Sequence, residues 1–129
     1  MGHVALPQFN VMMAEVLLLQ GELAAAEKWL TEASEFAHSH DDRYFDAEVR
    51  RMSAICCARR GKSTEAAVGL RDAIDVARMQ RAATFELRAA LSLAQLEPHE
   101  GRNAIRSAVD RIQEPETWPE ITAAQEILR

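Results

Sequence analysis

The feature that most constrains this chain is an internal repeat of forty residues. Gly21, Gly61 and Gly101 stand at that interval, and so do Ala14, Ala54 and Ala94. The segment after each of the first two glycines repeats as well: Ala26, Leu30, Ala33 and Ala37 recur as Ala66, Leu70, Ala73 and Ala77. Steps of four, three and four residues put each set on one face of a helix. In the third copy Ile105, Val109 and Ile112 keep the +4 and +7 spacing after a turn shortened by one residue. A unit that repeats in this way is one supersecondary element that buries its apolar face against its neighbours.

That element is a helix pair. The chain has only five Gly and four Pro, and no alternating polar and apolar run bounded by turn residues, so strands have little room. Segments rich in Ala, Leu, Glu and Arg favour helices instead, placed near 7–20, 23–38, 42–60, 64–80, 82–97, 102–113 and 118–128. Gly21 and Gly61 end helices, Asp41 or Asp42 and Ser63 act as N-caps, Pro98 closes the fifth helix, and Thr117 with Glu120 forms a capping box. The expected fold is one all-α domain over 1–129, with repeats about 6–40, 41–80 and 81–115 and a capping helix at 117–128. In that cap Trp118, Ile121 and Leu128 face inward, and Glu120 and Glu126 outward.

The small residues Ala14 and Ala26, like Ala54 and Ala66, are twelve apart, the spacing at which the two helices of a tetratricopeptide repeat cross most closely. On these positions the chain resembles the tetratricopeptide repeat family, which implies a right-handed superhelix of three helix pairs plus a C-terminal capping helix. Its period of forty exceeds the family's ~34, and the aromatic slots of the first helix hold Asn10, Arg50 and Ala90 or Leu17, Cys57 and Glu97. The stretches Ala47-Glu48-Val49-Arg50-Arg51-Met52 and Glu86-Leu87-Arg88-Ala89-Ala90-Leu91-Ser92-Leu93-Ala94-Gln95-Leu96 look like the carboxy-terminal repeat region of large bacterial signalling proteins. Those proteins also carry an ATPase module and a nucleotide-cyclase or LuxR-type output domain, whose motifs this chain does not contain. The resemblance implies a module for protein binding, signal transduction and transcription regulation.

Charge and chemistry narrow the function. With 15 Lys plus Arg against 20 Asp plus Glu the net charge is -5, the wrong sign for a protein that holds nucleic-acid phosphates. No signal peptide and no run of about 18 apolar residues is present, so the expectation is a cytoplasmic protein without a membrane partner. Cys56 and Cys57 are adjacent, cannot clip distant segments together, and suit a reducing compartment. Gly61-Lys62-Ser63 lacks the upstream glycine and strand of a phosphate loop, and no nucleophile has a base beside it. His38, His40, Asp41 and Asp42 straddle a helix end, where dipole and capping roles account for them. The chain is therefore expected to be no enzyme and to need no metal or cofactor.

What remains is the inner groove of a solenoid, built from the first helix of each pair. With Ala14, Ala54 and Ala94 as the packing register, that face takes Gln8, Val11, Met12 and Glu15, then Glu48, Arg51, Met52, Ile55 and Arg59, then Arg88, Leu91, Ser92 and Gln95. The expected partner-binding residues are Met12, Glu15, Glu48, Arg51, Met52, Ile55, Arg59, Arg88 and Gln95. Methionines supply an adaptable apolar strip and the arginines a fork for a carboxylate. The expected ligand is a peptide or helix of a protein partner; a small-molecule sensor that controls an output domain and a structural dimerisation unit are the alternatives. The first helix is apolar on nearly every side, with only Glu15 polar between Val11 and Leu19. Something must cover it, either further repeats in a longer polypeptide or a second copy; a homodimer through Val11 and Leu18 is expected.

Overall fold

The computed structural model of the chain describes residues 7–112 and 119–129, apart from the side chains of 7 and 119–122. The described residues form seven helices and no strand: α1 (Pro7–Leu19), α2 (Leu23–His40), α3 (Asp46–Arg59), α4 (Ser63–Met79), α5 (Ala83–Leu96), α6 (Pro98–Asp110) and α7 (Pro119–Leu128). Three of the four prolines open a helix, where the missing amide hydrogen costs nothing. None of the described helices is long and apolar enough to cross a membrane. Thr117, Trp118 and the side chains of Glu120 and Ile121, which carry the expected capping box and the inner face of the last helix, lie outside the described residues.

Four successive turns share one geometry. Gly21, Asp41, Gly61 and Arg81, twenty residues apart, have φ of 79°, 50°, 80° and 57°. After each, an N–H reaches back five residues: Glu22 to Leu17 O (2.8 Å), Asp42 to Ala37 O (3.1 Å), Lys62 to Cys57 O (3.0 Å) and Ala82 to Ala77 O (2.9 Å). This left-handed closure satisfies helix carbonyls that would otherwise face solvent unpaired. Glycine adopts it freely, whereas Asp41 and Arg81 do so against a cost of roughly 1 kcal/mol each.

Two capping expectations are corrected here. Asp41 ends α2 instead of starting α3, which begins five residues later behind Phe45, a position with no side-chain cap. Asp42 Oδ1 instead accepts a long bond from the Tyr44 N–H (3.3 Å). Ser63 is the first residue of α4, and Lys62 precedes it without a side-chain cap.

The third pair departs from the forty-residue spacing. Glu97 alone separates α5 from α6, and Pro98 opens α6 rather than merely closing α5. Gly101 therefore lies inside a helix and not in a turn. A Cβ added there would stand 2.2 Å from the Ala94 Cα, so glycine is needed because two backbones touch. At the corresponding crossing of α3 and α4, a Cβ on Gly69 would meet the Ala54 Cβ at 3.1 Å. The third pair thus turns back at 97–98 where the second turns at 61–62, one helical turn short of a full forty-residue repeat, which keeps the inner faces roughly in phase.

Packing follows these turns. The helices of α1–α2, α3–α4 and α5–α6 lie against each other, α4 packs on α5 as closely, and α2 meets α3 less extensively. α1 touches α3 and α3 touches α5, so the odd-numbered helices form a row, while α7 rests on α5 and α6. The small-residue stripes are buried as their spacing requires: Ala26, Leu30, Ala33 and Ala37 on α2, and Ala66, Leu70, Ala73 and Ala77 on α4. Each buried leucine contributes about 2 kcal/mol. One core gathers α1, α2 and part of α3 around Leu18, Leu30 and Met52. The other runs from Ala54 on α3 through Leu70, Leu87, Leu93 and Ile105 to Ala124 on α7.

Ion pairs tie neighbouring helices at the surface. Arg60 grips Glu27, and Arg71 donates to Glu100 at 2.7 and 2.8 Å. The guanidinium in each case holds the carboxyl below its ordinary range. Solvent screens both pairs, so they add little to stability.

Candidate functional site

The row of α1, α3 and α5 carries a groove of about 550 Å³. Gln8, Glu48 and Arg88, at forty-residue intervals, all line it, so the internal repeat brings equivalent positions of three helices into one surface. Val11, Met12 and Glu15 complete the α1 wall. The remaining side is aromatic. Tyr44 and Phe45 come from the turn before α3 and Phe85 from the first turn of α5. Their ring centroids lie 4.8 to 5.9 Å apart, and Tyr44 is 66% exposed.

At the floor is a buried carboxylate. Glu48, only 3% exposed, accepts from Arg51 Nε at 2.7 Å and from Arg88 Nη1 at 2.8 Å. Arg51 Nη2 adds a longer contact of 3.4 Å. A charge this deeply buried needs such partners, because desolvation alone would cost several kcal/mol. A second cluster obeys the same rule. Glu86, 1% exposed, accepts from Arg78 Nε (2.9 Å) and Arg111 Nη1 (2.5 Å), and Ser107 Oγ accepts from both arginines. It locks α4, α5 and α6 together.

Of the expected groove residues, Met12, Glu15, Glu48 and Arg88 meet in this surface, and the others do not. Met52 is 2% exposed and belongs to the core, because α1 and α2 close over that side of α3. Ile55 packs on the same core. The Arg51 side chain is 11% exposed and committed to Glu48, so it offers no fork to a ligand. Arg59 donates to the Leu18 carbonyl at 2.7 Å and caps the end of α1. Gln95 lines a different, mostly apolar cavity of about 600 Å³ with Leu91, Pro98, Arg102 and Ile127, between α5, α6 and α7.

The self-association residues are corrected too. Val11 is 7% and Leu18 3% exposed, and both pack in the chain's own core rather than on an outer face of α1. The aromatic side of the groove is absent from the expected residues. The signal was present, since Phe45 and Phe85 are themselves forty residues apart.

A further cavity of about 620 Å³ opens on the other side of α3, between α2 and α4, with Glu35, Glu65 and Asp72 on its walls. Cys56 and Cys57 lie at its floor. Burial pushes the Cys56 thiol up to about 11, so it stays protonated and poorly nucleophilic at neutral pH. At the α2 terminus the His40 ring stacks on Phe36, with centroids 4.0 Å apart, and its Nδ1 lies 3.1 Å from the Phe36 carbonyl. No three His, Cys, Asp or Glu side chains among the described residues come together as a metal site would need.

The chain matches no protein-family description, no curated protein and no solved structure.

Proposed function

We propose that this chain is a non-catalytic interaction module whose groove between α1, α3 and α5 holds a peptide or a helix of a partner protein. In this reading α1–α2, α3–α4 and α5–α6 are three units of a tetratricopeptide-like right-handed superhelix that α7 closes. The forty-residue recurrence of the buried stripes supports the repeat, and the net charge of -5 argues against nucleic acid as the partner. A role in cytoplasmic signalling and transcription regulation rests on the likeness of 47–52 and 86–96 to the repeat regions of bacterial signalling proteins.

One observation carries the binding reading: the groove sets exposed, adaptable apolar side chains beside a fixed charge. Met12 is 57% and Tyr44 66% exposed. Aromatic and methionine side chains bury a large area at small entropic cost and dominate protein contacts. Arg88 stands at the edge of this apolar surface, 38% exposed and anchored by Glu48. The partner segment that fits is one with a bulky apolar anchor next to an acidic or carbonyl group.

Selection of peptides from a random display library against the intact chain tests this. Tyr44→Ala and Phe85→Ala should each weaken the selected peptides at least about tenfold, the loss of one buried aromatic anchor, with helical circular dichroism unchanged. Peptides that bind both variants as well as the parent chain would remove the groove from consideration. Arg51 is a poor probe, since its side chain is nearly buried and committed to Glu48. The volume of about 550 Å³ also lies in the range of small-molecule pockets, which supports a sensor as the second reading. A metabolite that raises the melting temperature and competes with the peptides would favour that reading.

A further inference from the structure

The repeat allows the chain to be compared with itself. One seam runs between α2 and α4, which flank α3, and a second between α4 and α6, which flank α5. Positions of α2 recur on α4 forty residues later, as the buried Ala26, Leu30, Ala33 and Ala37 recur in Ala66, Leu70, Ala73 and Ala77. Because the third pair turns back early, positions of α4 recur on α6 after thirty-five residues. Ser63 and Pro98 open the two helices, and the buried Ala66, Leu70 and Ala73 become Gly101, Ile105 and Ala108.

The later seam is bridged. Arg71 on α4 donates from Nε and Nη2 to both carboxylate oxygens of Glu100 on α6, the forked geometry that suits this pair of groups. The earlier seam keeps the acid and lacks the base. Glu65 stands where Glu100 does, just ahead of the first buried residue of its helix, and the place of Arg71 is taken by Thr31, whose hydroxyl donates to the Glu27 carbonyl within α2. Glu65 has no hydrogen bond or ion pair among the described residues, and neither have Glu35 and Asp72 on the same walls. Arg50 lines the seam but is held by Asp46 at 3.3 Å, and Glu27 is held by Arg60. Where the later seam has its bridge, this one has the cavity of about 620 Å³.

We propose that this cavity receives a basic segment of a partner protein, one arginine of which takes against Glu65 the place that Arg71 holds against Glu100. Leu30, Val49 and Ala54, all buried, give the cavity an apolar lining. An arginine lays its methylene stem along such a surface while its head stays with the acids. Those acids stand at two levels, since Glu65 and Asp72 are seven residues apart on α4, about 10 Å of helix rise. One guanidinium fills one level. An extended chain covers that distance in about three residues, so the segment that satisfies both levels carries two basic side chains at that separation. The cavity shares no lining residue with the groove between α1, α3 and α5, so the two sites can fail separately.

A fluorescein-labelled peptide with two arginines separated by two glycines, titrated with the full chain and followed by anisotropy, tests this. It should bind at near-physiological salt, and the same peptide with glutamates in place of the arginines should not. Glu65→Gln combined with Asp72→Asn should weaken binding by about tenfold or more, with helical circular dichroism unchanged. Glu22→Gln combined with Asp110→Asn removes the same charge from exposed sites elsewhere and should leave binding intact. Thr31→Arg is the complementary probe. It supplies the absent side chain, so the seam should close on itself and exclude the peptide by a similar factor, in a chain at least as heat-stable as the parent. Tyr44→Ala and Phe85→Ala should not alter binding of this peptide. No binding up to millimolar concentration, equal losses from the two pairs of substitutions, or full binding by Thr31→Arg would each overturn the proposal. Displacement of the peptide by an equal concentration of spermidine would overturn it as well, in favour of a free polyamine as the occupant.

Discussion

Arg88 on α5 donates from Nη1 to Oε1 of Glu48 on α3 at 2.8 Å, and the two residues hold the same place in successive helix pairs, forty residues apart. Opposite charges at this position in the second and third pairs make α3 and α5 attract rather than repel. Arg51 shares the same carboxylate, and this redundancy sets the expected cost of each substitution. Glu48→Ala leaves two arginines facing one another, one of them nearly buried, and should cost about 3 kcal/mol. Arg88→Ala leaves Glu48 still held by Arg51 and should cost about 1 kcal/mol. Urea melts of the two variants check the ordering; equal losses would mean that Arg88 alone holds the carboxylate.

The two helical glycines should respond very differently to a methyl group. At Gly101 the new Cβ falls 2.2 Å from the Ala94 Cα, backbone against backbone, so α5 and α6 must move apart and Gly101→Ala should lose about 3 kcal/mol. At Gly69 the contact is 3.1 Å from a side-chain methyl, and a small shift is offset by the gain of about 1 kcal/mol in helix propensity. Thermal denaturation should find Gly69→Ala close to the parent and Gly101→Ala well below it.

Cys56 gives the fold a dependence on alkaline pH. Its thiol titrates near 11 when folded, against an ordinary value of 9.0, because burial disfavours the thiolate. The folded state therefore binds this proton more tightly than the unfolded state. The associated stability is complete below pH 9 and is lost as pH rises toward 11. Urea melts across that window should show the decline, and Cys56→Ala should remove this part of it. At neutral pH an alkylating reagent should label the half-buried Cys57 in the native chain and Cys56 only after unfolding; equal labelling rates would contradict the burial of Cys56.

Much of this structure is legible in the residues, and the losses have definite causes. The stripes Ala26-Leu30-Ala33-Ala37 and Ala66-Leu70-Ala73-Ala77 reveal two helices and their buried faces because polar residues surround them. α1 gives no such phase. Its residues are apolar all round, so nothing in the sequence says that Val11 and Leu18 face inward while Phe9 and Leu19 face out. Gly101 shares its spacing with Gly21 and Gly61, yet spacing cannot tell a left-handed turn from a close crossing of helices. Glu48 reads as a groove residue and Glu86 carries no sign of burial, since the burial of both carboxylates depends on how arginines of several helices pack around them. Tyr44, Phe45 and Phe85 escape for a similar reason: two lie in a turn inside the span 42–60 that the sequence marks as helix, and their meeting depends on how α3 and α5 pack.

α3 turns Val49, Met52 and Cys56 to one core and Ala54 to the other. A helix claimed by two cores belongs to neither alone. If the first two helices peel away, one side of α3 is stripped and Met52 meets water; if the later helices leave, the opposite side is stripped around Ala54. Either half would have to melt while holding a helix it had only half wrapped, so partial states gain little and the two cores are driven to unfold in a single cooperative transition. The same sharing leaves α3 as the one helix that touches both α1 and α5 among the described residues.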